Sequence, residues 1–174
     1  MRASRFRGLW RNSTGAAALE FAMIAPILIA LILGTIETGW MMTQTMMLDR
    51  ALDMTIREVR IGSFQNPTLE RVRNRVCERA VVLADCQASL ALEFLPIASK
   101  ADYPTDSTRC MTRGSDPRPV LRFSIGNREQ LVFVRACFIV APITPMLAVL
   151  LSLPGDERGE HRLIAKSGFM NEPA

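Results

Sequence analysis

The sequence predicts an α+β fold in which one long N-terminal helix packs on a small antiparallel sheet beside a second helix. Apolar residues recur at helical spacing from Leu48 to Val59 and again from Leu69 to Leu83. Further on, Ser89–Leu95 alternates between apolar and other side chains, as a half-buried strand does. The 174 residues, less one membrane segment, leave about 130, which is enough for one hydrophobic core and too few for a second catalytic domain.

The first element is an apolar run from Ala16 to Ile36, long enough to cross the roughly 30 Å hydrocarbon core of a bilayer as a helix. Glu20 is the one charged residue in the run, and residues 1–15 contain four arginines and no acidic residue. This charge bias predicts a cytoplasmic N-terminus and an external C-terminal domain. A cleaved signal peptide is the alternative, but Gly34-Thr35-Ile36 is a poor cleavage site.

The helix is expected to continue from Ala16 to Ile61, where Gly62-Ser63 ends it. A second helix is expected to open at Asn66-Pro67, with Asn66 as the N-cap and Pro67 in the first helical position. Its predicted buried stripe consists of Leu69, Val72, Val76, Ala80 and Leu83.

Four segments are predicted to be strands. They are Ser89–Leu95, Val120–Ile125, Leu131–Val140 and His161–Lys166. Gly126-Asn127 is predicted to be a hairpin turn between the second and third strands, and Met146–Leu153 a short helix. The segment from Pro96 to Pro119 is rich in Pro, Asp, Ser and Thr, and is therefore expected to be a long surface loop.

The four cysteines all follow the apolar run, at Cys77, Cys86, Cys110 and Cys137. None forms the close Cys-x-x-Cys pair of a zinc ribbon or a thioredoxin-like site. An even number of separated cysteines in an exported domain predicts two disulfides in an oxidising compartment, with three connectivities open. The favoured hypothesis pairs Cys77 with Cys86 and Cys110 with Cys137.

Charge and composition argue against several classes of function. The formal net charge is +4, but without the four leader arginines 17 basic residues balance 17 acidic ones, so no nucleic-acid partner is expected. His161 is the single histidine, has no Cys or His near it in sequence, and is predicted to be a surface residue. No phosphate loop, Ser-His-Asp set or paired-carboxylate motif is recognisable. We therefore expect neither an enzyme nor a cofactor or metal site.

The segment from Thr14 to Phe21 carries the functional information. Gly15, directly before the helix, would offer a protease an extended and unhindered backbone. Glu20 lies five residues beyond such a cut, where a carboxylate is costly in a membrane and favours a specific partner. The new α-amino group of Ala16 is a partner of the right charge.

This arrangement resembles the class III signal of type IV pilins and pseudopilins. The resemblance implies that a prepilin peptidase cuts after Gly15 and leaves Ala16 as the new N-terminus. Glu20 and Phe21 then occupy the fifth and sixth mature positions. It also implies that Glu20 of one subunit neutralises the amine of a neighbour as helices pack together.

Further features resemble the TadE-like pseudopilins of tight-adherence (Flp-type) pilus systems. They are the arginine-rich leader, the run Ala16–Pro26, the pair Gly34 and Glu37, and the late segment Phe169–Pro173. The resemblance implies a pilin-like architecture and a role in assembling an adhesive pilus without being its major subunit. The implied partners are the membrane, a prepilin peptidase, other pilus or pseudopilin subunits, and the assembly machinery.

The predicted organisation is a basic cytoplasmic leader (1–15), a transmembrane and extended helix (16–61) and an exported α+β domain (62–174). In a bacterial cell the chain would be a single-pass inner-membrane protein with a periplasmic C-terminal domain. The alternative is an unprocessed, membrane-anchored binding module of the cell envelope, which would still begin near Met1.

Overall fold

The computed structural model describes residues 15–64, 66–104, 122–127, 129–143 and 161–171. Its first element is a 45-residue helix, α1, over Ala16–Arg60. At its end the Ile61 N–H bonds the Arg57 carbonyl at 3.1 Å, and Gly62 follows in the left-handed region at φ +70°. The predicted helix is confirmed to within one residue, and glycine supplies its termination.

Burial divides α1 into two parts. Side chains from Ala16 to Leu33 are exposed or, at two alanines, half-buried. From Gly34 onward, one stripe at helical spacing is buried against the rest of the protein. That stripe contains Gly34, Glu37, Gln44, Leu48, Ala51, Leu52, Thr55, Ile56 and Val59. The second part of α1 is therefore a core helix, and the first part has no cover from its own domain.

The sheet has three antiparallel strands, β1 (Leu90–Ile97), β2 (Leu131–Val140) and β3 (His161–Met170), in the order β1-β2-β3. The limits predicted for β2 are confirmed. β3 begins where predicted but runs four residues further, to Met170, since the whole length of β2 pairs with it. One face of the sheet packs on α1 and contributes Leu92, Phe94, Val134, Ala136, Leu163 and Phe169 to the core.

The predicted hairpin between Val120–Ile125 and β2 is wrong. Within the described part of that segment, Phe123 makes a single parallel bridge to Phe94 of β1. The Phe94 N–H donates to the Arg122 carbonyl at 2.8 Å, and the two phenylalanine rings meet edge to face at 4.8 Å. Residues 122–124 thus lie along the other edge of β1, because aromatic packing there competes with local hairpin formation.

The second helix, α2, spans Leu69–Arg79 and starts later than predicted. Thr68 is the N-cap, and its hydroxyl accepts the Arg71 N–H at 3.3 Å. Asn66 has φ +49°, a left-handed turn conformation that asparagine tolerates, so the chain is still turning at Asn66-Pro67. Val72, Val76, Ala80 and Leu83 are buried as predicted, and Leu69 is half-buried.

Two further local elements follow from short-range contacts. A one-turn helix, α3, covers Cys86–Ser89 directly before β1. A 3-10 turn at Lys100–Asp102 is closed by a capping box between Ser99 and Asp102. The predicted helix at Met146–Leu153, and the part of the Pro96–Pro119 loop that contains Cys110, lie outside the described residues.

His161 is not a surface residue. It opens β3 opposite Val140 and is 2% exposed. Inward positions of β3 alternate from His161 through Leu163 and Ala165, so the register that buries those apolar residues also buries the histidine.

Candidate processing and assembly segment

Gly15 lies at the start of α1, where little obstructs the backbone. A Cβ placed on Gly15 would meet nothing within 4 Å. Its dihedral angles, φ −80° and ψ −17°, are helical, so the extended backbone expected from the sequence is not present. Among the described residues, no side-chain hydrogen bond caps this end of the helix. Unwinding the first turn for a protease therefore breaks no capping contact within that part of the chain.

Glu20 and Phe21 both lie on the uncovered part of α1. Glu20 is exposed, and Phe21 retains 70% of its surface. Four residues of helix separate Glu20 from Ala16, which places them on one face about 6 Å apart along the axis. Neither side chain contributes to the domain core, so both are available to a neighbouring molecule.

The electrostatics of this helix start favour a negatively charged partner. The first turn of α1 contains no acidic residue, and the helix dipole places partial positive charge there. A cut after Gly15 would add a cationic amine to the same point. Glu20 is the first acidic residue of the helix, and a carboxylate at membrane depth is costly unless a cation is near.

The exposed apolar side chains surround the helix rather than forming one stripe. They are Leu19, Phe21, Met23, Ile24, Ile27, Leu28, Ile29, Leu31, Ile32 and Leu33. Eighteen residues from Ala16 to Leu33 span about 27 Å, close to the thickness of a hydrocarbon core. Within the described part of the chain, α1 is the one helix long and apolar enough to cross a membrane. It fits a single-pass membrane anchor.

The pair Gly34 and Glu37 marks the junction between the anchor and the α+β domain. Glu37 is 3% exposed, and its Oε1 accepts the backbone N–H of Ile143 at 2.9 Å. The Thr38 hydroxyl donates to the Gly34 carbonyl at 2.8 Å, which satisfies a polar side chain within the helix. Both residues belong to the family resemblance seen in the sequence. The contact between Glu37 and Ile143 joins positions 106 residues apart, so no local sequence pattern predicts it.

The late segment that resembles the family closes the far end of the domain. Phe169 is buried in the core shared with α1. Asn171 joins the turn before β2, because its side-chain amide donates to the Gly126 carbonyl at 3.2 Å and its carbonyl accepts the Glu129 N–H at 3.0 Å. These residues support the fold and lie apart from the segment around Glu20. Glu172 and Pro173 lie outside the described residues.

The predicted disulfide between Cys77 and Cys86 is present, with a Cα–Cα distance of 5.6 Å. It joins α2 to α3. Cys137, in β2, is also disulfide-bonded. Its predicted partner, Cys110, lies outside the described residues, so that pairing stays a prediction.

The family model described as TadE-like protein matches residues 15–57. The match begins at Gly15, includes all of the exposed first part of α1 and continues into the buried stripe of its second part. It confirms the predicted family resemblance over this segment and indicates a pilus-associated membrane protein. No curated protein and no solved structure matches the chain.

Proposed function

We propose that this chain is a TadE-like pseudopilin that a prepilin peptidase processes after Gly15 and that acts in assembly of an adhesive tight-adherence pilus. The observation that carries the proposal is the uncovered apolar part of α1, which presents Glu20 one turn from Ala16 within the segment that matches the family. In this proposal the chain has a structural role, with its N-terminus in the cytoplasm and its α+β domain in the periplasm.

The proposed mechanism has two steps. Cleavage first removes the arginine-rich leader and leaves a cationic amine on Ala16. Packing of α1 against a neighbouring subunit then brings that amine to a Glu20 carboxylate. Burying two opposite charges together at low dielectric costs far less than burying either alone, so the pair selects assembled helices over isolated ones.

The test replaces Glu20 with alanine and, separately, with glutamine in the native host. We expect both variants to be cleaved normally and to assemble few or no pili, because glutamine keeps the shape of the side chain but not its charge. Leader removal is followed by the mobility of the protein on a gel, and piliation by electron microscopy of sheared fibres.

Met23→Ala is the matched control, since Met23 is an exposed side chain of the same apolar helix. It should leave both processing and piliation intact. Normal piliation in Glu20→Ala would contradict the proposed role of the carboxylate.

An unprocessed binding module is the second candidate, and one observation favours it. An open groove of about 520 Å³ lies between the end of α1 and α2. It is lined by Glu58, Ser63, Phe64, Arg71, Asn74, Arg75 and Glu78. Charged and amide side chains beside an aromatic ring can bind a polar ligand. A mature protein that still begins near Met1 would support this candidate over the pseudopilin.

A further inference from the structure

The junction between α1 and the α+β domain places a small uncharged surface beside the membrane anchor. It consists of Ile36 and Trp40 on α1 and residues 141–143, Ala-Pro-Ile, directly after β2. Ile36 is 58% exposed, Trp40 40% and Ile143 59%. We refer to these residues as the membrane foot.

Helix geometry fixes the level of the foot relative to the bilayer. Starting from Ala16, a hydrocarbon core of about 30 Å takes up about 20 residues and ends near Thr35. The headgroup layer, about 5–8 Å thick on each side, then contains Ile36 to Trp40. Tryptophan is enriched at this depth because its ring is apolar and its N–H is polar.

The charges along α1 agree with this level. Between Glu20 and Asp49 the sequence has one charged residue, Glu37, and it is buried against the domain. The side of the helix that continues past the hydrocarbon core therefore meets the headgroup region without an exposed charge until Asp49. This pattern is compatible with close contact between the domain and the lipid surface.

Glu37 links the two parts of the foot. Its carboxylate accepts the Ile143 N–H at 2.9 Å, and this holds the 141–143 segment against the helix one turn before Trp40. The Ile143 side chain remains exposed beside this contact. Gly34, one turn before Glu37, is also buried, at a level where the bilayer surface is expected.

We propose that the membrane foot inserts into the headgroup layer of the bilayer that α1 crosses, and that Glu37 holds Ile143 in place for this contact. The α+β domain then sits directly on the lipid surface with a fixed orientation, rather than standing away from it on a bare helix. The proposal rests on the membrane anchor included in the proposed function, but not on cleavage or on pilus assembly.

The test uses the full-length chain in two sets of phosphatidylcholine vesicles, one with acyl chains brominated near the headgroup and one with acyl chains brominated near the bilayer centre. Bromine quenches tryptophan at the same depth. Trp10 and Trp40 are the two tryptophans of the sequence, so Trp10→Phe isolates Trp40. In a background with both replaced by phenylalanine, Ile143→Trp reports on the foot. Ile24→Trp reports on the middle of the anchor. Met54→Trp is an exposed control on α1, about 21 Å beyond Trp40.

We expect Trp40 and Ile143→Trp to lose emission in vesicles brominated near the headgroup, with emission maxima at shorter wavelength than Met54→Trp, which keeps its full emission in both sets. Adding Glu37→Ala should remove most of the quenching of Ile143→Trp and leave that of Trp40. Quenching of Ile24→Trp by the deep bromines, together with full emission from Ile143→Trp over the shallow bromines, would overturn the foot and leave the anchor standing. Full emission from Ile24→Trp in both sets of vesicles would overturn the anchor as well. Unchanged quenching of Ile143→Trp in the Glu37→Ala variant would overturn the role of Glu37.

Discussion

At the scale of single residues, an ion pair is buried in the middle of the sheet. Glu93 of β1 and Arg135 of β2 lie directly opposite each other, and a guanidinium nitrogen of Arg135 donates to Glu93 Oε2. Leu92 and Phe94 face the core shared with α1, so strand alternation places Glu93 and Arg135 on the other face. The Arg135 side chain is 7% exposed and the Glu93 side chain 13%, so each charge depends on its partner.

Removing one member of this pair should therefore cost more than removing both. We expect Arg135→Met to lower the free energy of unfolding by about 3–5 kcal/mol, because Glu93 is left buried and unpaired. The double variant Glu93→Leu/Arg135→Met should recover most of that loss. Urea unfolding of the detergent-solubilised protein, followed by circular dichroism, measures both. Additive losses in the double variant would contradict the account.

Two carboxyl groups outside the membrane give a pH dependence of opposite signs. Partial desolvation raises the pKa of Asp49, an exposed residue at the edge of the core, above 3.8, and the Asp53 carboxylate one turn away adds to the increase. The backbone N–H of Ser99, then its hydroxyl and the Ala98 N–H, lower the pKa of Asp102 below 3.8. Ionised Asp49 thus destabilises the fold at neutral pH, whereas ionised Asp102 stabilises it.

Asp49→Asn should therefore raise the urea midpoint at pH 7. The gain should shrink as the pH falls through the raised folded pKa and be lost below 3.8, where wild-type Asp49 is protonated in both states. Asp102→Asn is the control of opposite sign. It should lower the midpoint at pH 7, with the difference lost as the pH falls through 3.8 and the lower folded pKa. A gain from Asp49→Asn that stays constant with pH would contradict this interpretation.

At the scale of elements, α1 connects the anchor to the core, and α2 packs against the C-terminal end of α1. Glu58 of α1 pairs with Arg79 of α2 and lies 3.6 Å from the Nε of Arg75. On the other side of α1, the Ser167 hydroxyl of β3 donates to Asp53 Oδ1 at 2.9 Å. The second part of α1 is thus held by α2 on one side and by β3 on the other, whereas the side chains of its first part are not covered by the domain.

The Cys77–Cys86 disulfide closes the short connection after α2. The two cysteines are nine positions apart, and a loop of that size is expected to contribute about 2–3 kcal/mol by restricting the unfolded chain. We expect Cys77→Ala/Cys86→Ala to lower the free energy of unfolding by that amount. Urea unfolding without reductant measures it, and a loss below about 0.5 kcal/mol would show that the bridge contributes little.

Periodicity predicted the elements whose local pattern and tertiary environment agree. The long helix and β2 are of this kind, since the apolar pattern of each is uninterrupted and is compatible with one type of secondary structure. Residues 122–125 were placed in the wrong pairing because the Phe94–Phe123 contact is non-local. The prediction of a surface His161 is wrong because its burial depends on the register of β3 against β2. The prediction of Asn66 as the N-cap is wrong because Thr68, two positions later, caps the helix instead.

The candidate site divides in the same way. Four of its residues lie within the short segment 15–21, so a motif could identify them: Gly15, Ala16, Glu20 and Phe21. The contact between Glu37 and Ile143 joins two elements far apart in sequence and required the fold. One disulfide was predictable from a short spacing, whereas the partner of Cys137 is not fixed by the described residues.

At the scale of the whole molecule, the chain is one small α+β core built on the second part of a helix whose first part is left for a membrane. The family match covers that helix and little of the core. We propose that a prepilin peptidase converts this helix start into a free N-terminus that pairs with Glu20 of a neighbouring subunit.

The N-terminal sequence of the protein recovered from membranes of its native host tests this processing step. We expect a mature chain that begins at Ala16, and Gly15→Val should abolish that start and leave the leader attached. A wild-type protein that begins near Met1 would contradict processing and favour the anchored binding module. A start beyond Ile36 would contradict the anchor itself and mean a cleaved signal peptide.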